Sequence, residues 1–457
     1  MRSGTPPQPL EPAVCDTLAA MTPSRRELLQ LLGASSALLA VGCTGSGTAG
    51  EAAPLATAVL DPDEDSFVIA VWSRLIARDI TVTVRAGDQP IAELHALLDG
   101  EIGKVEVTDL LPGTTYRVAI ELGGLVLEHV VRTAPALDDP RPVRLAISAD
   151  CDPSPAFASG MLDAVVAVRP DLLISLGDFP YTDNGPPAQT VAQYRERHAQ
   201  LRGHPPVQRL LGACGLYAIY DDHEFRNDWD ARFVAAEPAR YAAAMQVWDE
   251  FFPQRVEVGD IRYRSWRWGA HVECFLLDCR RFRSANAAPD DERKTMLGAE
   301  QHAWLVDGVT RSTATFKLVL TSVALDYGDG TDHWVGFKTE RDALLAALVG
   351  VPGVLFISAD QHWFAAQSHA FGIREMQVGP LARGLGSPPR ATSGVMFRAV
   401  RYNAGIIDVD GDQLTFTALG EDGEAFYTET LSADALTPRD DAQAASHASA
   451  HKLTSVP

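Results

Sequence analysis

The sequence predicts a mixed α/β protein in which a small β-sandwich is followed by a larger α/β domain. Three observations predict it. At 457 residues the chain is too long for one ordinary domain. Between Pro54 and Thr133 the signals are short β-branched strands and turns. From Arg144 onward apolar runs recur with helix-like segments between them, which implies βαβ units and a largely parallel sheet. A hydrophobic fraction of 46% and a charged fraction of 22% are those of a globular chain. The expected organisation is a leader over 1–43, a β-sandwich over 54–138, an α/β domain over 139–433 and a disordered tail over 434–457.

The leader reads as an address. Ser24-Arg25-Arg26-Glu27-Leu28-Leu29 precedes an uncharged apolar stretch that ends at Cys43. Paired arginines before a short apolar segment are the pattern of a twin-arginine export signal, so the export machinery is an expected partner. Ala40-Val41-Gly42-Cys43 resembles a lipobox, in which the cysteine would be acylated and anchor the protein to a membrane. The expected destination is the periplasm, the cell surface or the medium, and translation starts at Met1 or Met21. The competing reading of this stretch is a buried amphipathic helix. No run of eighteen apolar residues occurs, which excludes a multi-span helical membrane protein.

In the β region, Ser66–Ser73 and Ile80–Val84 are β-branched and partly alternating. Leu111-Pro112-Gly113-Thr114-Thr115-Tyr116-Arg117-Val118 is a turn leading into a strand. It resembles the segment of fibronectin type III domains in which a tyrosine anchors a corner, and about eighty residues suit such a sandwich. A packing and spacer role is set against a substrate-positioning one.

In the α/β region, what matters is where the apolar runs stop. They end at Asp150-Cys151, at Gly177-Asp178, at Asp221-Asp222-His223-Glu224 and at Asp360-Gln361-His362. Open α/β sheets bind ligands beyond the carboxyl ends of their strands. One acidic residue there is ordinarily a helix N-cap; four clusters aim carboxylate, thiol and imidazole groups at one edge. Gathering carboxylates without counter-charge is costly, and bound cations remove the cost. Carboxylate oxygens suit calcium, magnesium or ferric iron, whereas a Cys151 thiolate and a neutral His362 favour a transition metal. A mixed site follows: one transition ion beside one or more hard ions. Such cations neutralise the charge that builds up when an anionic phosphate ester is cleaved.

The motifs resemble those of a known family. Leu176-Gly177-Asp178-Phe179-Pro180-Tyr181 is similar to an element of iron-containing phosphatases, and Tyr220-Asp221-Asp222-His223-Glu224 to the histidine motif of metallophosphoesterases. With Cys151, Tyr194-Arg195, Leu277-Asp278-Cys279-Arg280, Leu297-Gly298, Asp332-His333-Trp334 and Ser358-Ala359-Asp360-Gln361-His362 in order, the chain from about 55 to 430 resembles the alkaline phosphatase D (PhoD-like) family. The resemblance implies a metallophosphoesterase α/β sandwich and the hydrolysis of phosphate mono- or diesters. It implies ferric iron held by Cys151, Asp178, Tyr181 and His362, with Asp178 bridging to calcium held by Asp222 and Asp360. Asp150 stands where the family often has serine; Asn227, Asp228 and Asp332 are further calcium or phosphate contacts. His223 would stabilise the transition state or protonate the leaving oxygen, and Arg195 would clamp phosphate. Ala359 replaces the usual glycine, and the segment from Asn227 to Tyr241 is short, so the lid and the substrate preference are expected to differ.

The remaining signals are plainer. A net charge of 39 − 60 = −21 argues against a nucleic-acid partner. Cys214, Cys274 and Cys279 read as packing residues. Against the exported phosphoesterase stand two alternatives: a phospholipase D-like phosphodiesterase, and a non-catalytic, calcium-binding surface lipoprotein.

Overall fold

The computed structural model of the chain describes residues 53–154, 159–255, 259, 261–326 and 330–440. The leader with its paired arginines and Cys43 lies outside the described residues, as does 441–457.

The described residues begin with seven strands: β1 (Leu55–Leu60), β2 (Phe67–Ser73), β3 (Asp79–Ala86), β4 (Gln89–Leu97), β5 (Ile102–Val107), β6 (Thr115–Leu122) and β7 (Leu125–Arg132). β4-β3-β6-β7 form a four-stranded antiparallel sheet, and its inner side packs on β1, β2 and β5. The alternation read from Ile80–Val84 is the inward face of β3, where Ile80, Val82 and Val84 are buried. Tyr116 is buried, and its hydroxyl oxygen accepts the Leu111 N–H at 2.8 Å, which is the anchored corner expected there.

β1 and β2 are buried on both faces. Leu55, Val59, Phe67, Ile69 and Val71 face the sandwich, while Ala56, Ala58, Leu60, Val68, Ala70 and Trp72 face helices. β1 also pairs in parallel with a later strand, Leu60 opposite Leu216. The sheet therefore runs without a break across the boundary expected at 138/139.

The larger part continues with β8 (Val143–Ser148), α1 (Met161–Val168), β9 (Leu172–Ser175), α2 (Val191–Gly203), α3 (Pro205–Ala213), β10 (Gly215–Ala218), α4 (Ala231–Ala236) and α5 (Pro238–Phe251). Then come β11 (Arg264–Trp268), β12 (Val272–Leu276), α6 (Gly298–Arg311), β13 (Phe316–Val323), α7 (Lys338–Ala347) and β14 (Val354–Ala359). Six strands are the last of the described elements: β15 (Phe364–Ser368), β16 (Arg374–Gln377), β17 (Val395–Ala399), β18 (Asn403–Asp410), β19 (Gln413–Gly420) and β20 (Ala425–Ser432). One sheet has the order β20-β19-β18-β8-β9-β10-β1-β2-β5 and the other β11-β12-β13-β14-β16-β15-β17.

The two sheets stack face to face. Leu145, Ile147, Leu172 and Ile174 meet Leu318, Leu320, Leu355 and Ile357 between them. Ala146 and Leu173 point the other way, into the helices of the first outer layer, and α6 and α7 cover the far side of the second sheet. The result is a four-layer α/β sandwich.

Two expectations need correction. The sheets are parallel only at their centres, β8-β9-β10-β1 and β12-β13-β14-β16; antiparallel strands flank both. Strands with one solvated face, such as β20, need no crossover helix and pair as hairpins. The stretch 434–440, expected to lie in a disordered tail, is packed: Leu436 is buried, its carbonyl accepts the Val354 N–H at 3.1 Å, and Arg439 N–H bonds Phe371 O at 2.8 Å.

Candidate metal centre

Four strands deliver the site, as the ends of their apolar runs indicated. Asp150 follows β8, Asp178 follows β9, Asp221 and Asp222 follow β10, and Asp360 follows β14. The chain must turn sharply there. Asp150, Asp178, Asp228, Asp360 and His362 all have left-handed backbone, with φ between 54 and 76°. Side chains other than glycine pay for this conformation, and such residues cluster where geometry serves function. Two glycines make room: a Cβ on Gly177 would strike Asp221, and one on Gly379 would strike the Asp150 carboxylate.

The side chains converge in overlapping groups. Ligand atoms of Asp150, Asp178 and His362 lie within 4.8 Å of one another, as do those of Asp178, Asp222 and His223, of Asp221, Asp222 and Asp360, and of Asp222, Asp228 and Asp332. Both oxygens of Asp150, Oδ2 of Asp178, Oδ1 of Asp222 and Oδ2 of Asp332 are buried without a hydrogen-bond partner among the described residues. Such orphaned charge is expensive. Burial, then repulsion from neighbouring aspartates, pushes the carboxyls of Asp150, Asp178 and Asp360 well above the usual range. An oxygen-rich cavity that disfavours its own charge and has lone pairs to spare fits divalent or trivalent cations.

His362 is arranged as a ligand. Its Nδ1–H donates to Gly384 O at 2.5 Å, which leaves Nε2 unprotonated, 3.0 Å from the Tyr181 hydroxyl and 3.6 Å from Asp150. Burial holds its pKa down at about 4, so it is neutral at pH 7. His223 is its opposite. Burial opposes its charge, but Asp222 and the hydrogen bond to Asp183 outweigh burial and push its pKa up to about 9. Its ring lies against Tyr181, with centroids 4.1 Å apart.

Not every expected residue joins. Cys151 is buried, but its sulfur belongs to none of these groups among the described residues; it packs in the apolar cluster under the first sheet. Burial, with Asp152 and Asp150 behind it, pushes the thiol well above its usual value. Arg195 is not a clamp either: its Nε and Nη2 form a two-bond pair with Glu250 at 2.7 and 2.6 Å. Asn227 is exposed and contributes its backbone N–H to Asp183. Asp332 is braced by Arg280 and Arg283, each at 2.7 Å.

Several residues emerge only from the structure. Arg280 is fully buried and grips both oxygens of Asp221 at 2.6 and 2.7 Å. Glu224 accepts the N–H groups of Phe179 and Asp221, tying two site loops together. Asp183 holds His223, and Arg383 lies over the Tyr181 ring at 4.3 Å. Arg280 and Glu224 stand within motifs legible in the sequence; nothing in the sequence marks Asp183 or Arg383.

Comparison with known proteins follows the same line. A family model described as PhoD-like phosphatase matches residues 151–382, just over half of the chain. Alkaline phosphatase D of Bacillus subtilis (strain 168) is 26% identical over 239 residues, covering 42% of this chain. The match spans 41% of that relative's length, well under two thirds. A solved structure of PhoD superposes with a TM-score of 0.75 at 18% identity, covering 87% of this chain and 93% of that one. A purple acid phosphatase from yellow lupin (Lupinus luteus) seeds gives 0.62 at 13% identity, covering 89% and 78%. These two likenesses show the fold, the metallophosphoesterase α/β sandwich.

Proposed function

This chain belongs to the PhoD-like phosphatase family, and we propose that it is an exported, metal-dependent phosphoesterase that hydrolyses phosphate mono- or diesters. The observation that carries the reading is the set of buried, unpartnered carboxylate oxygens of Asp150, Asp178 and Asp222, gathered with His362 at the ends of four strands. We assign iron to Asp150, Asp178, Tyr181 and His362, and calcium to Asp178, Asp222 and Asp360, with Asp228 and Asp332 beside the latter. The imidazole and phenol suit a transition ion and the surplus carboxylates a hard one. What the ions supply, once bound, is Lewis acidity toward the phosphoryl oxygens and the attacking water.

The protein's own groups do the rest. Asp222 and the hydrogen bond to Asp183 push the His223 pKa up to about 9, and its imidazolium is the group we assign to protonate the departing alkoxide. Asp183 fixes its ring. His362 offers Nε2 because Gly384 occupies Nδ1. Arg280 keeps Asp221 and Asp332 in place without neutralising Asp150 or Asp178. The site sits among two packed sheets, so its geometry is set before substrate arrives.

The test is elemental analysis of purified protein together with hydrolysis of chromogenic mono- and diesters. Iron with calcium, a visible absorption band from phenolate–ferric contact, and activity lost on chelation are expected. Full activity with zinc alone would overturn the metal assignment; no hydrolysis of any ester by metal-replete protein would overturn the function.

A further inference from the structure

A small cavity of about 40 Å³ lies where β1 and β7 of the sandwich meet α2 and α3. None of its lining residues belongs to a metal-binding group. Its cation is Arg202, which is 2% exposed. Among the described residues no carboxylate pairs with it, and burial alone pushes its pKa down to about 9. At neutral pH the guanidinium is therefore charged, buried and without a counter-charge, which is costly. His198, one turn earlier on α2, adds no second charge: burial and then Arg202 push its pKa well below the usual value.

Aromatic rings meet part of that cost. The guanidinium carbon stands over Phe251 and Phe252 at 4.7 Å each, and over Phe179 at 6.0 Å. Ring faces attract the cation but give its N–H groups no in-plane acceptor. Nη2 donates to Phe251 O at 3.3 Å, while Nη1 is buried with no partner among the described residues. The other polar groups of the wall are largely spent. The Thr57 hydroxyl donates to His129 Nε2 at 2.7 Å, and His129 Nδ1–H donates to Leu211 O at 2.9 Å. Glu128 points to the opposite side of β7 from the buried His129. Gln208 is exposed at the mouth, and its side-chain amide has no partner among the described residues. Leu55, Leu127 and Leu211 make the rest of the wall apolar.

We propose that this cavity binds a halide ion such as chloride, held by Arg202 Nη1 and the Gln208 amide, and that the ion ties the sandwich to α2 and α3. One monovalent anion supplies both things the guanidinium lacks, an in-plane acceptor and an opposite charge. A water would satisfy Nη1 but leave the charge unbalanced. Two donors in an apolar wall suit a halide, which needs few hydrogen bonds. Phosphate or sulfate carries more charge and four oxygens, most of which would stay unpaired here. The room also suffices, since a single water needs only about 10–15 Å³. The site stands apart from the phosphoesterase reading and is tested without measuring activity.

The experiment follows thermal unfolding of the metal-replete protein in sodium chloride, bromide and gluconate. Ionic strength is kept equal, because with a net charge of −21 any salt stabilises by screening. In the wild type Tm should rise saturably with either halide, above the gluconate curve. Gln208→Leu, at an exposed position, should need about tenfold more halide for half the effect, the scale of one lost hydrogen bond. Arg202→Met should unfold alike in all three salts. Crystals grown in bromide should show an anomalous peak against Arg202 Nη1. Wild-type curves that coincide, a halide effect unchanged in Gln208→Leu, or a bromide map with only water at Nη1 each overturns the proposal. Should Arg202→Met fail to fold, Gln208→Leu and the bromide map decide it.

Discussion

His223 Nδ1 lies 2.7 Å from the Asp183 carboxylate, and the same carboxylate accepts the Asn227 N–H at 2.8 Å. One side chain thus orients the charged imidazole and fastens the loop that follows it. Asp183→Asn keeps the shape but removes the charge. If the protonated imidazole is the working form, the alkaline limb of the pH–rate profile should move to lower pH, because Asp183 helps hold the His223 pKa up near about 9. Turnover at the optimum should fall roughly ten- to a hundredfold, with KM little changed. An unmoved alkaline limb would remove Asp183 from this role.

Arg280 is a different kind of support. It is fully buried, forks onto Asp221, bonds Asp332 and lies 3.6 Å from Asp222. Arg280→Met leaves these carboxylates facing one another. Breaking a buried pair from one side costs about 3–5 kcal/mol. Urea unfolding should register a loss of that size. Arg280→Lys should recover only part, since an ammonium cannot make the planar two-bond contact. A fully stable Arg280→Met protein would contradict the account.

The contrast with Arg195 shows what the sequence could and could not say. Where an apolar run stops at an aspartate, strand direction and site position are both legible, and Asp150, Asp178, Asp222 and Asp360 were readable for that reason. An arginine on a charged helix carries no mark of its partner. Arg195 pairs with Glu250, fifty-five residues on, and only the packing of α2 against α5 decides it. The place of the Cys151 side chain is hidden in the sequence for a related reason. Asp150 turns in the left-handed region two residues past the end of β8, and that turn, which no strand pattern shows, sends its carboxylate to the site while the Cys151 sulfur packs in the apolar cluster. The mixed sheet direction was hidden because β18, β19 and β20 join the first sheet from the far end of the chain.

Away from the site, His129 should make stability depend on pH. It is buried on β7; its Nδ1–H donates to Leu211 O at 2.9 Å, and its Nε2 accepts from the Thr57 hydroxyl at 2.7 Å. Burial pushes its pKa down from 6.5 to about 4. The unfolded chain therefore binds a proton between those values and the folded one does not. The contribution is complete above pH 6.5, is lost as pH falls toward 4, and amounts to roughly 2 kcal/mol between pH 7 and 4.5. Unfolding free energies at those two pH values should differ less, by that amount, in His129→Gln than in the wild type. Equal differences in the two proteins would rule His129 out.

Export can be tested independently of chemistry. Arg25→Lys with Arg26→Lys removes the paired guanidinium groups and should abolish appearance outside the cytoplasm. Cys43→Ala should release the protein from membranes where the lipobox is used. Fractionation with an antibody reads both. Normal export of the double variant would end the twin-arginine proposal.

The sharpest test of the site sets Asp150 against its neighbour. Asp150 has two buried oxygens with no partner among the described residues, within reach of Asp178 and His362. Cys151 sits in the apolar cluster, its thiol held protonated by burial. Cys151→Ala should then cost about 1–2 kcal/mol of packing, the scale for trimming a small buried side chain, and leave metal content near normal. Asp150→Asn should do the reverse. The amide fits the same space and relieves the repulsion that raises the carboxyl pKa, so the metal-free protein should become more stable. The bound iron should fall well below one per chain, because a neutral amide is a far poorer ligand for a hard cation. Metal stoichiometry and thermal unfolding, each measured with and without chelator, give four numbers per variant. Iron lost from Cys151→Ala but kept by Asp150→Asn would mean that the thiol turns toward the ion when it binds, and that the assignment of Asp150 is wrong.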